Sequence, residues 1–294
     1  MTPNELLEYE THFAGYQSFL TGNVERDAHW HFEAQETHAL HVLDAIQGLQ
    51  LEIVELSGKV KNEDAFYNLN FGAARRSRMI WGAFRQLHYM IAPNRNDPML
   101  HDDVFEAARA LNDIYIHTRG MLDNYAWTLI HLFGDEPSKA LRRNDVDLFG
   151  KKFQLASSFS EFKRILTPYA DWNLELKERR DPVAHRIPLS VPPSFLNDSD
   201  AAEFSEMNER FDAARQRFSE LAQNGAPQPE ANAASAEADE LYEQLQKIGR
   251  FVPIIVHDPK QGGTRIYPTV PQDIGRMVRI SRELNHGISE RLGS

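Results

Sequence analysis

At 294 residues without a single cysteine, the chain is long enough to bury a core unaided and is barred from disulfides, thiolate metal sites and a cysteine nucleophile. It has no apolar run long enough to cross a bilayer and no basic segment leading into an apolar one at its start, so a cytoplasmic chain of one large or two small domains is expected, with no membrane partner. A net charge of -11 argues against a wholesale electrostatic grip on nucleic acid, yet the charge is uneven. Residues 1–65 hold 12 acids and 3 bases, and residues 200–246 hold 11 and 3. Residues 139–186 hold 7 acids and 11 bases, which makes them the only basic stretch before the C-terminal tail.

The first two thirds of the chain read as helix. Beyond an N-terminal helix over residues 1–25, Ala39, Leu43, Ile46, Leu49, Ile53 and Leu56 recur every three or four positions. Leu69, Ala73, Ile80, Phe84, Leu87 and Ile91 do the same with one break. From Val104 through Leu111, Tyr115, Leu122 and Leu129 to Leu132 the spacing holds over some thirty residues, a long bundle helix. Asn94, Asn96, Asp97 and Pro98 break the chain before it, and Gly134 and Pro137 break it after. A fourth helix is predicted over 158–181, completing an all-α, up-and-down bundle over residues 26–193.

At Pro182 either the helix kinks or Asp181 caps a short new turn, because the proline ring removes a donor and disfavours helical geometry at the residue before it. Residues 187–193, with Pro188, Pro192 and Pro193, must then be extended. Residues 194–236 read as an acidic helix at about 200–222 followed by a flexible linker at 224–236, rich in Ala, Pro, Gly and Asn. Residues 237–294 read as a helix, a β-hairpin and a last amphipathic helix carrying Ile274, Met277, Leu284, Ile288 and Leu292. The hairpin has strands at 251–257 and 264–268 around Lys260-Gln261-Gly262-Gly263. This C-terminal part is expected to pack on the bundle as an appendage.

Arg180 and His185 stand five positions apart at the end of the fourth helix, inside the basic segment. Arginine holds a phosphate through a planar fork of donors, and histidine moves a proton near neutral pH, so the pair has the parts for chemistry at a ribose 2'-hydroxyl. Spacing alone is weak evidence, because Arg26 with His31, Arg95 with His101, Arg250 with His257 and Arg279 with His286 offer similar gaps. Those four lie in an acidic helix start, a breaker-rich loop, a predicted strand and the tail.

An all-helical bundle ending in Arg180-Asp181-Pro182-Val183-Ala184-His185-Arg186, followed by Ile187-Pro188-Leu189 and Pro192-Pro193, resembles the HEPN superfamily. The resemblance implies a metal-independent endoribonuclease without cofactor, of the kind found among toxins and defence proteins. His185 would be the general base toward the 2'-hydroxyl, Arg180 would clamp the scissile phosphate and Asp181 would orient one or the other. Lys177, Arg179 and Arg186 would lie against the RNA. The products would be a 2',3'-cyclic phosphate and a 5'-hydroxyl. The same resemblance implies a homodimer with two motifs facing one groove, and allows a regulatory protein partner or a non-catalytic version that only binds RNA or protein.

A third reading is a metal site built from His29, His31, His38 and His41 with Glu33, Glu36 and Asp44. It lacks a Glu-x-x-His step, and the histidines flank the apolar stripe, so solvated or half-buried histidines are expected and no metal is assigned. Trp81, Phe84, Tyr115, Tyr125 and Trp127 fall at helical spacing and read as core. Arg119 and Asp123 read as an ordinary pair one turn apart. The chain has no glycine-rich phosphate loop and no Gly-x-Ser-x-Gly elbow.

Overall fold

The computed structural model describes residues 2–8, 24–185, 188–256 and 263–293. Helices dominate: α1 (Pro3–Glu8), α2 (Val24–Ser57), α3 (Glu63–Phe66), α4 (Ala74–Met90), α5 (His101–Phe133), α6 (Glu136–Lys139), α7 (Lys151–Leu155), α8 (Ser160–Leu166) and α9 (Ala170–His185). After them come α10 (Asp198–Gln223), α11 (Gln228–Leu245), strands β1 (Ile254–Val256) and β2 (Gly263–Arg265), and α12 (Ile266–Gly293). Among the described residues no helix is long and apolar enough to cross a membrane.

Each long helix forms where a stripe of apolar side chains repeats with the helical period, and each buries that stripe. On α2, Ala39, Val42, Ile46, Leu49 and Ile53 are fully buried. A buried residue of this kind contributes about 1.5–3 kcal/mol for its larger members, so a stripe of five decides how the helix docks. The break in the second stripe is filled by Ser77, which is buried and returns its hydroxyl proton to the carbonyl of Ala74 at 2.8 Å. Between α3 and α4 the chain winds as a π-helix over Tyr67–Ala73, so 63–90 is one continuous helical path with a widened turn. The widening coincides with a close approach to α5, where a β-carbon on Gly72 would stand 2.4 Å from the Asn124 amide nitrogen.

Helices α2, α4, α5 and α12 pack in a ring, each against the next, and enclose the core. The fourth wall of the bundle is therefore α12 and not the 158–181 segment, and the C-terminal helix is no appendage. Ile274, Met277, Val278, Ile280, Leu284 and Ile288 are all fully buried. Two polar side chains of α12 also reach through the core: Tyr115 donates to Asp273 at 3.0 Å and Tyr125 to Asn285 at 2.8 Å. A short helix joins the ring from outside, since α1 lies on α2 and α12 and approaches Gly275 so closely that a β-carbon there would clash with the carbonyl of Leu7.

The 158–181 segment is broken rather than continuous. Pro168 places a 3-10 turn over Thr167–Tyr169 between α8 and α9, and α9 then packs on α5 outside the ring. It runs past Pro182 to His185. A proline in the last turn removes one hydrogen bond where few remain to be made, so the helix persists for three residues beyond it. Of the aromatic residues expected in the core, Phe84, Tyr115 and Tyr125 are fully buried, and Trp81 and Trp127 pack half-buried against it.

Residues 188–195 run across the body as expected and bridge to the C-terminal part at Ser190 with Val256 and at Phe195 with Arg250. The β-hairpin is real but shorter than predicted, with Ile254 opposite Arg265 and Val256 opposite Gly263. Its expected turn at Lys260-Gln261-Gly262 lies outside the described residues.

The stretch predicted as a flexible linker is instead a four-residue turn and a helix. Alanine is the best helix former and its small side chain permits close packing, so Ala231, Ala234 and Ala238 face inward on α11, which returns antiparallel along α10. The two helices share a small core of Ala214, Ala238 and Leu241, with Met207 and Phe211, separate from that of the body. This helical hairpin is anchored by the Phe195–Arg250 bridge and by the amide of His101 donating to Gln246 at 2.6 Å. Replacing residues 198–245 by a short glycine-serine link is thus expected to leave the body's melting temperature within roughly 5 °C of the parent's in calorimetry. A broad, non-cooperative melt would show that the helical hairpin is part of the body's folding unit.

Candidate functional site

Consecutive residues on a helix point about 100° apart, and Arg179 and Arg180 are separated by that rotation. Arg179 turns inward, where its Nη1 meets both carboxylate oxygens of Asp273 at 2.9 and 3.2 Å and its Nη2 lies 3.2 Å from Glu175. Asp273 is fully buried and also accepts from the indole of Trp172 at 2.9 Å and from Tyr115. Burial pushes its carboxyl up to about 6, against the pull of Arg179 and of the two neutral donors. Arg180 turns outward, about a third exposed, and its Nη1 lies 3.1 Å from Asp181 Oδ1. The side chain of His185 and the whole of Arg186 lie outside the described residues.

The other residues expected on RNA have fixed partners. Lys177 Nζ is 2.9 Å from Asp147 Oδ2, and the same carboxylate receives Arg119 at 2.7 Å. Burial pushes Asp147 up, but Arg119 and Lys177 outweigh it and hold the carboxyl below its ordinary range. Arg119 is more than the ordinary pair predicted. It is buried, its bond to Asn173 is 2.9 Å, and Asp123 is the more distant partner at 3.5 Å. Asp123 is pushed upward by burial, in spite of Arg119, Arg180 and Arg76 nearby. Arg180 therefore stands at the edge of a polar cluster on α5.

Arg76 crosses from α4 into that cluster. Its Nε donates to Asn124 Oδ1 at 3.0 Å and its Nη1 to His117 Nδ1 at 3.3 Å, while Asn124 in turn donates to Asn68 at 3.2 Å. Gly120 makes room for it, since a β-carbon there would lie 2.4 Å from the guanidinium carbon. A guanidinium only donates, so Nδ1 of His117 accepts and the imidazole proton sits on Nε2. Burial first, and then the Arg76 charge, hold the His117 pKa below its ordinary value. Arg76→Gln is accordingly expected to raise the His117 pKa, read from the imidazole resonances in an NMR titration. An unchanged midpoint would separate the two groups electrostatically.

The histidines that could have formed a metal site are dispersed. His29 lies 3.1 Å from Glu33, His31 meets Gln35, His41 faces the carbonyl of Pro3 at 3.2 Å and Glu36 binds His88 at 3.0 Å. His38 is buried against the Leu7 carbonyl at 3.5 Å, and burial lowers it to about 4. Among the described residues no three potential ligands of His, Cys, Asp or Glu type converge.

The charge count by segment missed a second basic region. Residues 65–96 hold Arg75, Arg76, Arg78, Arg85 and Arg95 and not one acid, so 139–186 is not the only basic stretch before the tail. The signal was the lack of acids over 32 residues in a chain that has 43 of them. No protein-family model matches the chain, and no curated protein and no solved structure matches it either.

Proposed function

We propose that the chain is a metal-independent endoribonuclease of the HEPN type, with Arg180 and His185 as the pair that acts on RNA. The observation that carries the reading is the division of labour between two adjacent arginines. Arg179 is consumed by Asp273 inside the fold, whereas Arg180 is left at the surface with Asp181 alone within ion-pair distance among the described residues. An arginine kept outward beside a basic segment is suited to grip a phosphate, and Asp181 fixes its orientation. In the reaction, His185 takes the proton of the 2'-hydroxyl and the 2'-oxygen attacks phosphorus. The bond from phosphorus to the 5'-oxygen then breaks and that oxygen takes a proton from water, leaving a 2',3'-cyclic phosphate and a 5'-hydroxyl. Arg180 stabilises the charge that builds on the non-bridging oxygens. A two-fold dimer would set two motifs across one groove and supply the walls that the end of a single helix lacks.

The test is incubation of the purified protein with RNA in excess EDTA. Fragments ending in 2',3'-cyclic phosphate are expected, and RNA methylated at the 2'-oxygen is expected to resist. Activity abolished by chelation would overturn the reading, as would cleavage of the methylated strand. Sedimentation as a monomer at micromolar concentration would remove the dimer. The second reading, a bundle that binds RNA without cutting it, is favoured by the exposed arginines of α4, which lie on a different helix from the motif.

A further inference from the structure

Helix α4 and the π-helical turn before it present one continuous outer stripe. In order along it stand Tyr67, Phe71, Arg75, Arg78, Arg85 and Tyr89, spaced by three, four or seven residues and each reaching the surface. Gly82 fills the one gap, and a β-carbon there would meet nothing within 4 Å. The row is aromatic at both ends and arginine in the middle, and Tyr67, Phe71 and the three arginines each touch a planar neighbour. Tyr67 and Phe71 have ring centroids 5.6 Å apart, and Arg75 lies over Phe71 at 4.7 Å. Arg78 and Arg85 lie over the half-buried Trp81 at 4.2 and 4.5 Å. None of these three arginines forms an ion pair with a carboxylate among the described residues. At about 1.5 Å per residue the stripe is roughly 33 Å long.

We infer that this stripe is a track for single-stranded RNA, deepening the reading of the chain as an RNA-cutting enzyme, from which it takes the choice of RNA. Three arginines that pair with no described carboxylate, on a helix without acids, in a protein of net charge -11, form a local positive field matched to a phosphate backbone. Planar groups, both rings and guanidinium forks, offer faces on which unpaired bases stack without regard to sequence. A duplex hides its base faces, so stacking favours a single strand. An anionic membrane is the weaker match. The opposite face of α4 is locked into the bundle through Ile80, Phe84 and Leu87, so the helix cannot roll an apolar side into lipid.

The experiment measures binding of a single-stranded RNA methylated at every 2'-oxygen, which the proposed reaction cannot cut, by fluorescence anisotropy over a range of salt. Arg75→Gln, Arg78→Gln and Arg85→Gln together are expected to weaken binding at least 10-fold. They should also lower the slope of log affinity against log salt by about 2, at roughly 0.7 for each phosphate no longer neutralised. Phe71→Ala is expected to cost roughly 5-fold to 150-fold. Gly82→Arg, which adds a fourth arginine into open space, is expected to tighten binding and steepen the salt slope, a gain that misfolding cannot imitate. Equal binding by the triple variant and the parent would overturn the track, as would stripe-dependent binding only to phosphatidylserine-containing vesicles.

Cleavage of unmodified RNA, followed in parallel, separates this inference from the reading beneath it. Loss of the track raises KM with kcat held. A parent that binds through the stripe and never cuts would keep the track and remove the nuclease. A triple variant that cuts and binds like the parent would do the reverse.

Discussion

Replacing His185 by alanine is expected to slow RNA cleavage by about 100-fold to 10,000-fold, the usual loss when a group that moves a proton in the transition state is removed. Arg180→Lys is expected to fail as well, because lysine keeps the charge and loses the planar two-donor fork. The informative control is Arg179→Lys. Arg179 is bound to Asp273 inside the fold, so this change should lower stability more than it lowers kcat. Cleavage assays and thermal melts on the three proteins check the set. A His185→Ala protein that cuts as fast as the parent would end the assignment of this histidine as base.

Arg179→Ala is expected to cost about 3–5 kcal/mol of stability at neutral pH, the range found when one partner of a buried ion pair is removed. It would leave Asp273 fully buried with only the Tyr115 hydroxyl and the Trp172 indole to hold its charge. The pH dependence follows from the direction of the shift. In the folded protein Asp273 is raised from 3.8 to about 6, so on acidification the native state takes up a proton before the unfolded chain does. Stability from this group therefore grows as pH falls through about 6, and the cost of the buried charge is felt above it. Without Arg179 the carboxyl rises further, so the variant's deficit should be largest at about pH 8 and smaller at about pH 5. Urea unfolding of parent and variant at both values measures this, and a deficit equal at the two would show that Asp273 does not carry the charge assumed. Replacing both residues by apolar ones should recover only part of the loss, since Tyr115 and Trp172 would then lack their acceptor.

Helical periodicity is a local property of the chain, and the sequence determined it: the stripes on α2, on the path through α4, on α5 and on α12 are legible from residue spacing alone. The same is true of the extended run after Pro188 and of the β-hairpin beyond it. Which stripe meets which was beyond its reach, because burial of apolar surface has no direction and one stripe of Leu, Ile and Met serves another equally well. Only the folded chain shows that α12 closes the ring while α9, with Arg180 and His185 on it, lies outside against α5. The alanine-rich segment at 228–236, read as part of a linker, failed for a related reason. Small side chains look like a linker until a second helix lies close enough to bury them.

The candidate site divides along the same line. Its residue types, an arginine and a histidine in a basic helix end, stand in the sequence. The roles of two chemically identical neighbours, Arg179 and Arg180, do not, because the carboxylate that separates them, Asp273, is 94 residues away in the chain. Likewise the arginines and aromatic residues of 67–89 are written in order, but whether they face a core or solvent depends on the packing of the opposite side of the helix. Local chemistry fixes what a residue can do; the long-range contacts that use up some polar groups and leave others exposed fix which of them remain to do it.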